Sequence, residues 1–374
     1  MKNKKFLALF LALILLFSSF SSVLALDALN SEKGGMADIY AIARHAPSFF
    51  VPTKDWRNVA IRKTTPLYDL ENSIIAYCID IQNADTGKNA YVIISADETE
   101  TPILQYAPDA VSPYYDITSS SRALYLMPGA YHVLEGKSMM DLASERTYAL
   151  EEVLSVYQTA KAETATLNTA TTETADFSAL RQLYIAGVQP KGYDTKEKIL
   201  STVPNWQWTY GCSPTAIGMQ LAKLYPSLNT TNTIAELAVA LQTSASGSSA
   251  SEHFPERVSA YIVSKGLGTP TYCNFPSRQS NGAPERGISS NPYSTYLSEI
   301  NAGRAVAISS HYPTVSTPQY PNGWDRHTIT GVGYSYMTSG SDKYVIVHTT
   351  EVLDGKVYIN ISNLGDFAWF IVRK

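Results

Sequence analysis

A Thr- and Ala-rich segment over residues 159–176 divides the chain and most constrains what it can fold into. The segment contains no aromatic side chain and one leucine, so it has no apolar face to bury. A chain of 374 residues is long enough for two domains. We therefore predict a first unit over residues 26–158, a linker over 159–176 and a second unit over 177–374. We expect proteolytic cleavage in the linker.

The first 25 residues predict export. Three lysines lie near the start, an apolar run extends from Phe6 to Phe17, and Val23-Leu24-Ala25 matches a small-residue cleavage pattern. This arrangement is typical of a secretory signal peptide, and the run is short for a bilayer span, which needs about 20 residues. We expect cleavage after Ala25 and a secreted, extracellular protein. An uncleaved membrane anchor is the alternative.

Composition and charge exclude several classes of function. The chain is 45% hydrophobic and 17% charged, which excludes a disordered polymer. Its formal net charge is −4, and loss of three lysines with the signal peptide makes it −7. This charge gives no basis for nucleic-acid binding, and no further segment predicts a membrane span once the signal is cleaved. The three cysteines and six histidines lack zinc-type spacing, so we predict no metal and no cofactor.

Hydrophobic patterns predict the main elements of each unit. In the first unit, strands over 74–82 and 89–95 flank a turn, with Cys78 as a buried structural thiol, and a helix begins near Asp141 and continues to Tyr157. The second unit is helical first, over 214–224, around 258–262 and over 293–301. Five strand patterns follow, at Ala305–Ser309, Thr328–Tyr336, Tyr344–Val347, Val357–Ile361 and Trp369–Val372. Helices followed by strands predict an α+β domain with a mainly antiparallel sheet.

Cys212 is the candidate nucleophile. It stands in Gly211-Cys212-Ser213-Pro214, and Pro214 suits the first turn of a helix because its missing N–H is not needed there. Cys212 therefore lies at a helix N-terminus, where unpaired N–H groups and the helix dipole stabilise a thiolate. The same N–H groups can hold an oxyanion, and Gln207 can add a side-chain donor.

His327 is the candidate base for that thiol. It begins a strand pattern directly after a long loop, so the sheet can hold it while it faces a cleft. The other five histidines lie in the first unit, in loops or at a strand end, where a surface or structural role is the usual one.

These pieces together resemble papain-like cysteine peptidases, in the branch related to bacteriocin-processing peptidases and, more distantly, streptopain. The resembling segments are Gln207 before Gly211-Cys212-Ser213-Pro214-Thr215-Ala216, Ala302–Val306, the strand from His327 to Tyr334, and Tyr344–His348. The resemblance implies an α+β papain-like fold, with N-terminal helices and a C-terminal antiparallel sheet, preceded by a smaller α+β prodomain.

The resemblance also implies roles. Cys212 would attack a peptide carbonyl, His327 would move the proton, and Gln207 would stabilise the oxyanion. The family places Asp or Asn after the strand that follows the histidine, and Thr349 stands there in this chain. A threonine hydroxyl can accept a hydrogen bond from an imidazole but cannot stabilise imidazolium as a carboxylate does. The alternatives for this third position are Asp342, Glu351 and Asn360.

The first unit resembles the propeptide of streptopain-type enzymes in Pro66-Leu67-Tyr68-Asp69-Leu70, in the following hairpin and in Tyr91–Asp97. This implies a prodomain that covers the cleft as an intramolecular inhibitor. An independent binding domain is the alternative.

The leading hypothesis is a secreted cysteine peptidase, made as a proenzyme, that acts on protein or peptide. A cell-wall peptide amidase and a catalytically impaired binding or adhesion module are the other two. Cys273 has no helix start after it, so we predict a structural role, although a Cys212–Cys273 disulfide is an alternative that would silence the enzyme.

Overall fold

The computed structural model describes residues 35–143, 145–155, 158, 177–188, 194–274, 293–311, 326–337, 342–350, 355–364 and 366–374. The predicted signal peptide and the whole of the predicted linker lie outside these residues. Within them, no helix has the length and apolar character needed to cross a membrane.

The first unit is built mainly of strands. A helix, α1 (Met36–His45), precedes β1 (Val59–Tyr68), β2 (Ile74–Asn83), β3 (Asn89–Ser95), β4 (Ile103–Pro108), β5 (Arg122–Met127), β6 (Ala130–Glu135), β7 (Ser138–Asp141) and β8 (Thr147–Ala149). The predicted strands over 74–82 and 89–95 are confirmed as β2 and β3, and Cys78 is fully buried. The predicted helix from Asp141 is wrong over its first part, because β7 and β8 pair there, and the described residues 150–155 and 158 are helical.

The second unit contains the predicted helices and strands. Its elements are α2 (Ser178–Ala186), β9 (Thr195–Ile199), α3 (Cys212–Leu224), α4 (Asn232–Ala240), α5 (Phe254–Ser264), β10 (Tyr272–Asn274), α6 (Tyr293–Asn301), β11 (Val306–His311), β12 (Arg326–Met337), β13 (Lys343–His348), β14 (Val357–Asn360) and β15 (Asp366–Arg373). Helix α6 has the predicted bounds, and α3 begins two residues earlier than predicted.

The strands of both units form one sheet of fifteen strands in the order β10-β15-β11-β12-β13-β14-β4-β3-β2-β1-β5-β6-β7-β8, with β9 paired to β12. The sheet is mixed, because β1 and β5 are parallel. The predicted papain-like fold with a separate smaller prodomain is therefore wrong. Without a neighbour, the outer edge of β14 would expose unpaired N–H and C=O groups. Strand β4 pairs with this edge, with Tyr358 opposite Tyr106.

Apolar side chains from both units also share two cores. One core contains Tyr91, Ile93, Tyr131, Val345, Val347 and Trp369, and the other contains Ile79, Val92, Tyr106, Ile346 and Tyr358. A third core lies within the second unit, where α3, α4 and α5 pack against β11 and β15 through Ile217, Leu237, Val258, Ile262, Ala307 and Phe370. This third core fixes α3 against the sheet.

Candidate active site

Cys212 is the first residue of α3, as the sequence predicted. Its side chain is half-buried. The hydroxyl of Thr215 donates to the Gly211 carbonyl at 2.8 Å. This hydrogen bond stabilises the first turn of α3. A side chain at Gly211 would collide with the carbonyl oxygen of Gly247, which explains why glycine precedes the cysteine. The thiol thus stands at a rigid helix N-terminus that favours an anion.

Hydroxyl groups join α3 to β12 next to the two candidate catalytic residues in the sequence. The Ser213 and Thr328 hydroxyls lie 2.9 Å apart, and each follows a candidate residue directly in the sequence. One turn further along α3, the Thr330 hydroxyl donates to the Ala216 carbonyl at 3.0 Å. The two contacts set the register in which α3 runs alongside β12.

His327 is oriented by a main-chain carbonyl. Its Nε2 lies 3.1 Å from the carbonyl oxygen of Thr349. A carbonyl only accepts, so Nε2 carries the proton and donates, and in the neutral ring Nδ1 then holds the lone pair. Burial lowers the pKa of His327 to about 4, against the opposing effects of Asp141 and of the Thr349 carbonyl. His327 is therefore a neutral imidazole of fixed tautomer at pH 7.

The end of β13 supplies two carbonyls to the site. Thr350 has a left-handed backbone with a φ of 70°, which is uncommon for a β-branched residue. In that conformation its carbonyl accepts the Trp208 N–H at 2.6 Å, while the preceding carbonyl holds His327. The same turn thus positions both the base and the segment that leads to Cys212. The buried Thr349 hydroxyl has no hydrogen-bond partner among the described residues.

The alternatives for the third position are engaged elsewhere or are not described. Buried Asp342 accepts from Tyr184, Tyr344 and Asn360, and burial raises its pKa to about 6 despite these donors. Glu351 lies outside the described residues. The group that orients His327 is thus the Thr349 carbonyl rather than the Thr349 hydroxyl, and residue types do not indicate which carbonyl faces an imidazole.

The other two predicted residues lie as follows. The side chain of Gln207 is exposed, and its carbonyl accepts from the Thr209 hydroxyl at 3.2 Å. The Cys273 sulfur lies 3.3 Å from the Pro255 carbonyl, on the strand at one edge of the sheet. In the described part of the chain, which holds all three cysteines, no sulfur is in a disulfide.

The first unit covers His327. A methyl group added at Gly129, in the turn between β5 and β6, would lie 3.4 Å from Cγ2 of Thr349. His132 Nε2 lies 3.5 Å from Asp141 Oδ2, and both side chains act electrostatically on His327. His327 is consequently only 5% exposed. The sequence did not point to His132 or Asp141, because they reach the site only through the pairing of β6 with β7.

Comparison of the chain with family models, with curated proteins and with solved structures gives no match in any of the three.

Proposed function

We propose that the protein is a cysteine-type peptidase made as a proenzyme, with Cys212 as nucleophile and His327 as base. The observation that carries the proposal is the donation of His327 Nε2–H to the Thr349 carbonyl, at the end of β12 where the α3 N-terminus lies. A thiol at a helix start, a neutral imidazole of fixed tautomer and an orienting acceptor are the parts that covalent thiol catalysis needs.

The proposed reaction has two halves. His327 Nδ1 takes the proton of the Cys212 thiol, and the sulfur attacks the peptide carbonyl carbon. The imidazolium then gives this proton to the leaving nitrogen as the C–N bond breaks, which leaves a thioester. In the second half Nδ1 deprotonates a water molecule, which hydrolyses the thioester and restores the thiol.

The oxyanion formed in each half needs donors. We assign the Cys212 N–H as one, because it lies at the N-terminus of α3, where N–H groups point toward an anion. We assign the second to the side chain of Gln207, whose exposed position leaves it able to turn toward a bound substrate. Loss of one oxyanion donor costs about 10²–10³ in kcat in other hydrolases, so Gln207→Ala should fall in that range.

The covered state supports the proenzyme part of the proposal. Burial under the first unit disfavours the imidazolium that the reaction requires, as the low pKa of His327 indicates. Exposure of the site would return this pKa toward its usual value near 6.5, where His327 can accept the thiol proton. The first unit is thus proposed to hold the enzyme inactive by burying its base.

The test uses the full chain after an added protease has degraded the first unit, with reductant present. A thiol-directed epoxide inhibitor is added, and the labelled residue is mapped by mass spectrometry in the wild type and in Cys212→Ala, His327→Ala and Cys273→Ala. We expect label on Cys212, much slower labelling in His327→Ala, and no change in Cys273→Ala, which removes the other half-buried thiol. Unchanged labelling of Cys212 in His327→Ala would contradict the Cys–His pair.

The substrate class is tested on material that has been incubated until the chain is processed. We expect it to hydrolyse casein, and the Cys212→Ala chain to remain intact and inactive. Release of amino groups from purified cell wall, with casein untouched, would favour an amidase instead. Absence of label and of both activities would favour a binding module.

A further inference from the structure

Arg146 of the first unit contacts the second unit through Trp208 and the carbonyls of Ala245 and Ser246, which together are called the pocket. Its guanidinium carbon stands 5.0 Å from the centre of the Trp208 ring. One nitrogen of the guanidinium donates to the Ala245 carbonyl at 2.8 Å, and the other donates to the Ser246 carbonyl. An aromatic face and two carbonyl oxygens therefore surround one planar cation.

This pocket adjoins the residue before Cys212. Gly247 follows the two carbonyls and packs against Gly211, the residue before Cys212. Gly247 has a φ of +83°, and a methyl group there would lie 2.8 Å from Cζ2 of Trp208, so the close packing of loop and ring requires glycine. Trp208 is itself held by the bond of its N–H to the Thr350 carbonyl. The pocket is thus fixed to the residue before Cys212 and to the turn after β13 whose Thr349 carbonyl accepts from His327.

The chemistry of the pocket suits arginine in particular. Two parallel N–H donors of one guanidinium match two adjacent carbonyl oxygens, and the flat cation stacks on an indole face. A lysine ammonium has neither two parallel N–H donors in one plane nor a planar cation that can stack on the indole. Citrulline has a similar shape but no charge, so it loses the cation–π attraction and the charge-assisted hydrogen bonds.

All three components of the pocket belong to the second unit, whereas its occupant belongs to the first. We propose that Trp208 and the carbonyls of Ala245 and Ser246 form a substrate subsite for an arginine side chain, which Arg146 fills in the proenzyme. The proposal rests on the proposed peptidase function, since it assigns that enzyme a preference for basic peptides. Displacement of Arg146 would open the subsite to substrate.

The first experiment measures binding without catalysis. Full-length Arg146→Ala, with Cys212→Ala to prevent processing, is titrated with N-acetyl arginine amide, the lysine amide and the citrulline amide by calorimetry. We expect arginine amide to bind at least about tenfold more tightly than citrulline amide, because charge-assisted hydrogen bonds contribute that much or more. The Cys212→Ala chain that keeps Arg146 should bind none of the three at this site.

Two variants control the binding experiment. Arg257→Ala removes another arginine that donates to a carbonyl and an amide oxygen at a nearby turn, but without an aromatic face, and it should create no arginine binding. Trp208→Leu, added to Arg146→Ala, should abolish the preference, and Trp208→Phe should keep part of it if the leucine variant fails to fold. Equal affinity for arginine and citrulline amides in Arg146→Ala would overturn the subsite.

The second experiment separates this proposal from the peptidase proposal. Processed enzyme is given matched peptides that differ only in arginine or citrulline, while epoxide labelling of Cys212 is followed in the same preparation. Labelling with equal cleavage of both peptides would overturn the subsite and leave the peptidase. Arginine binding by the Arg146→Ala chain without any labelling of Cys212 would overturn the peptidase and leave a basic-peptide site.

Discussion

A main-chain carbonyl can orient an imidazole as firmly as a side chain can, because the fold fixes its position. At the end of β13 the left-handed conformation of Thr350 helps direct the Thr349 carbonyl at His327 Nε2. Such a carbonyl bears no net charge, so it stabilises imidazolium less than a carboxylate would. The sequence suggested the Thr349 hydroxyl, whereas the hydrogen bond is made by the Thr349 carbonyl, since the direction of a backbone carbonyl leaves no trace in residue types.

The Thr349 hydroxyl should therefore be dispensable. Thr349→Val removes a buried oxygen that has no partner among the described residues and retains the carbonyl. We expect Cys212 labelling by the epoxide to stay within about twofold of the wild type, and the free energy of unfolding to be unchanged or to rise by up to about 1 kcal/mol. Labelling rates and urea unfolding measure the two effects.

Thr215→Val is the matched control, because it removes a buried threonine hydroxyl that does have a partner, the Gly211 carbonyl at 2.8 Å. It should lower the free energy of unfolding by about 1–2 kcal/mol. A loss of labelling in Thr349→Val larger than that in Thr215→Val would show that the Thr349 side chain takes part.

His327 should make the proenzyme less stable in mild acid. Its pKa in the folded chain, about 4, is below the usual 6.5, so the unfolded chain binds more protons between these values. The neutral form of His327 thus contributes to the free energy of unfolding. This contribution is complete above pH 6.5 and is lost as the pH falls toward 4. From pH 7 to pH 5 the contribution of His327 amounts to about 2 kcal/mol of unfolding free energy.

The measurement compares urea unfolding of the wild type and His327→Gln at pH 7 and pH 5. The variant should lose about 2 kcal/mol less than the wild type over this interval. Asp342 acts in the opposite direction, since its raised pKa near 6 makes the folded chain bind more protons below that pH, but it is present in both chains. Equal losses in the two chains, or an imidazole NMR titration midpoint near 6.5, would contradict the burial argument.

At the scale of elements, one buried carboxylate joins the end of α6 to both neighbouring strands. Glu299 is 1% exposed and binds Arg304, just before β11, at 2.5 Å and Arg373, the last residue of β15, at 2.5 Å. Burial opposes ionisation, but the two arginines outweigh it and lower the pKa of Glu299. The carboxylate thus holds β11 and β15, the strands against which α3 packs, to the end of α6.

Glu299→Gln should destabilise the protein. It leaves two arginines around a neutral amide, and the loss should be smaller than the value of about 3–5 kcal/mol typical of a fully buried pair, because the side chains of Arg304 and Arg373 are 27% and 41% exposed. Glu236→Gln is the control, because Glu236 pairs with Lys265 at 2.6 Å at the surface, with 40% of its side chain exposed, and such pairs contribute about 0–1 kcal/mol. Thermal unfolding of both variants tests the difference, and similar midpoints would contradict it.

Elements defined by their own hydrophobic pattern were predictable, whereas those defined by pairing were not. The bounds of α6 and β3 follow from spacing alone. Residues 138–149 carry leucine and alanine at helical intervals, yet β7 and β8 form there because β6 offers β7 an edge and β7 offers one to β8. A helix would have left the backbone groups of that edge unpaired.

At the scale of the whole molecule, the pairing of β4 with β14 makes the two units one structure. The alternating pattern of Val357–Ile361 predicts the strand, but not that its free edge meets a strand 250 residues earlier in the chain. Edge pairing depends on the positions of whole units, which local residue patterns do not encode. The same pairing carries the turn at Gly129 and the residues His132 and Asp141 to His327.

One cut in the linker should therefore not release the first unit. Its apolar side chains fill two cores shared with the second unit, and separation would expose them together with the edges of β4 and β14. A specific protease site placed between residues 159 and 176, on the Cys212→Ala background, allows a single cut. After cleavage the two fragments should elute together in size-exclusion chromatography and separate only in denaturant.

Intact uncut chain is the control, and spontaneous separation in native buffer would contradict the shared cores. Since the cut leaves His327 covered, activation of the proposed enzyme requires degradation of the first unit as well as cleavage of the linker.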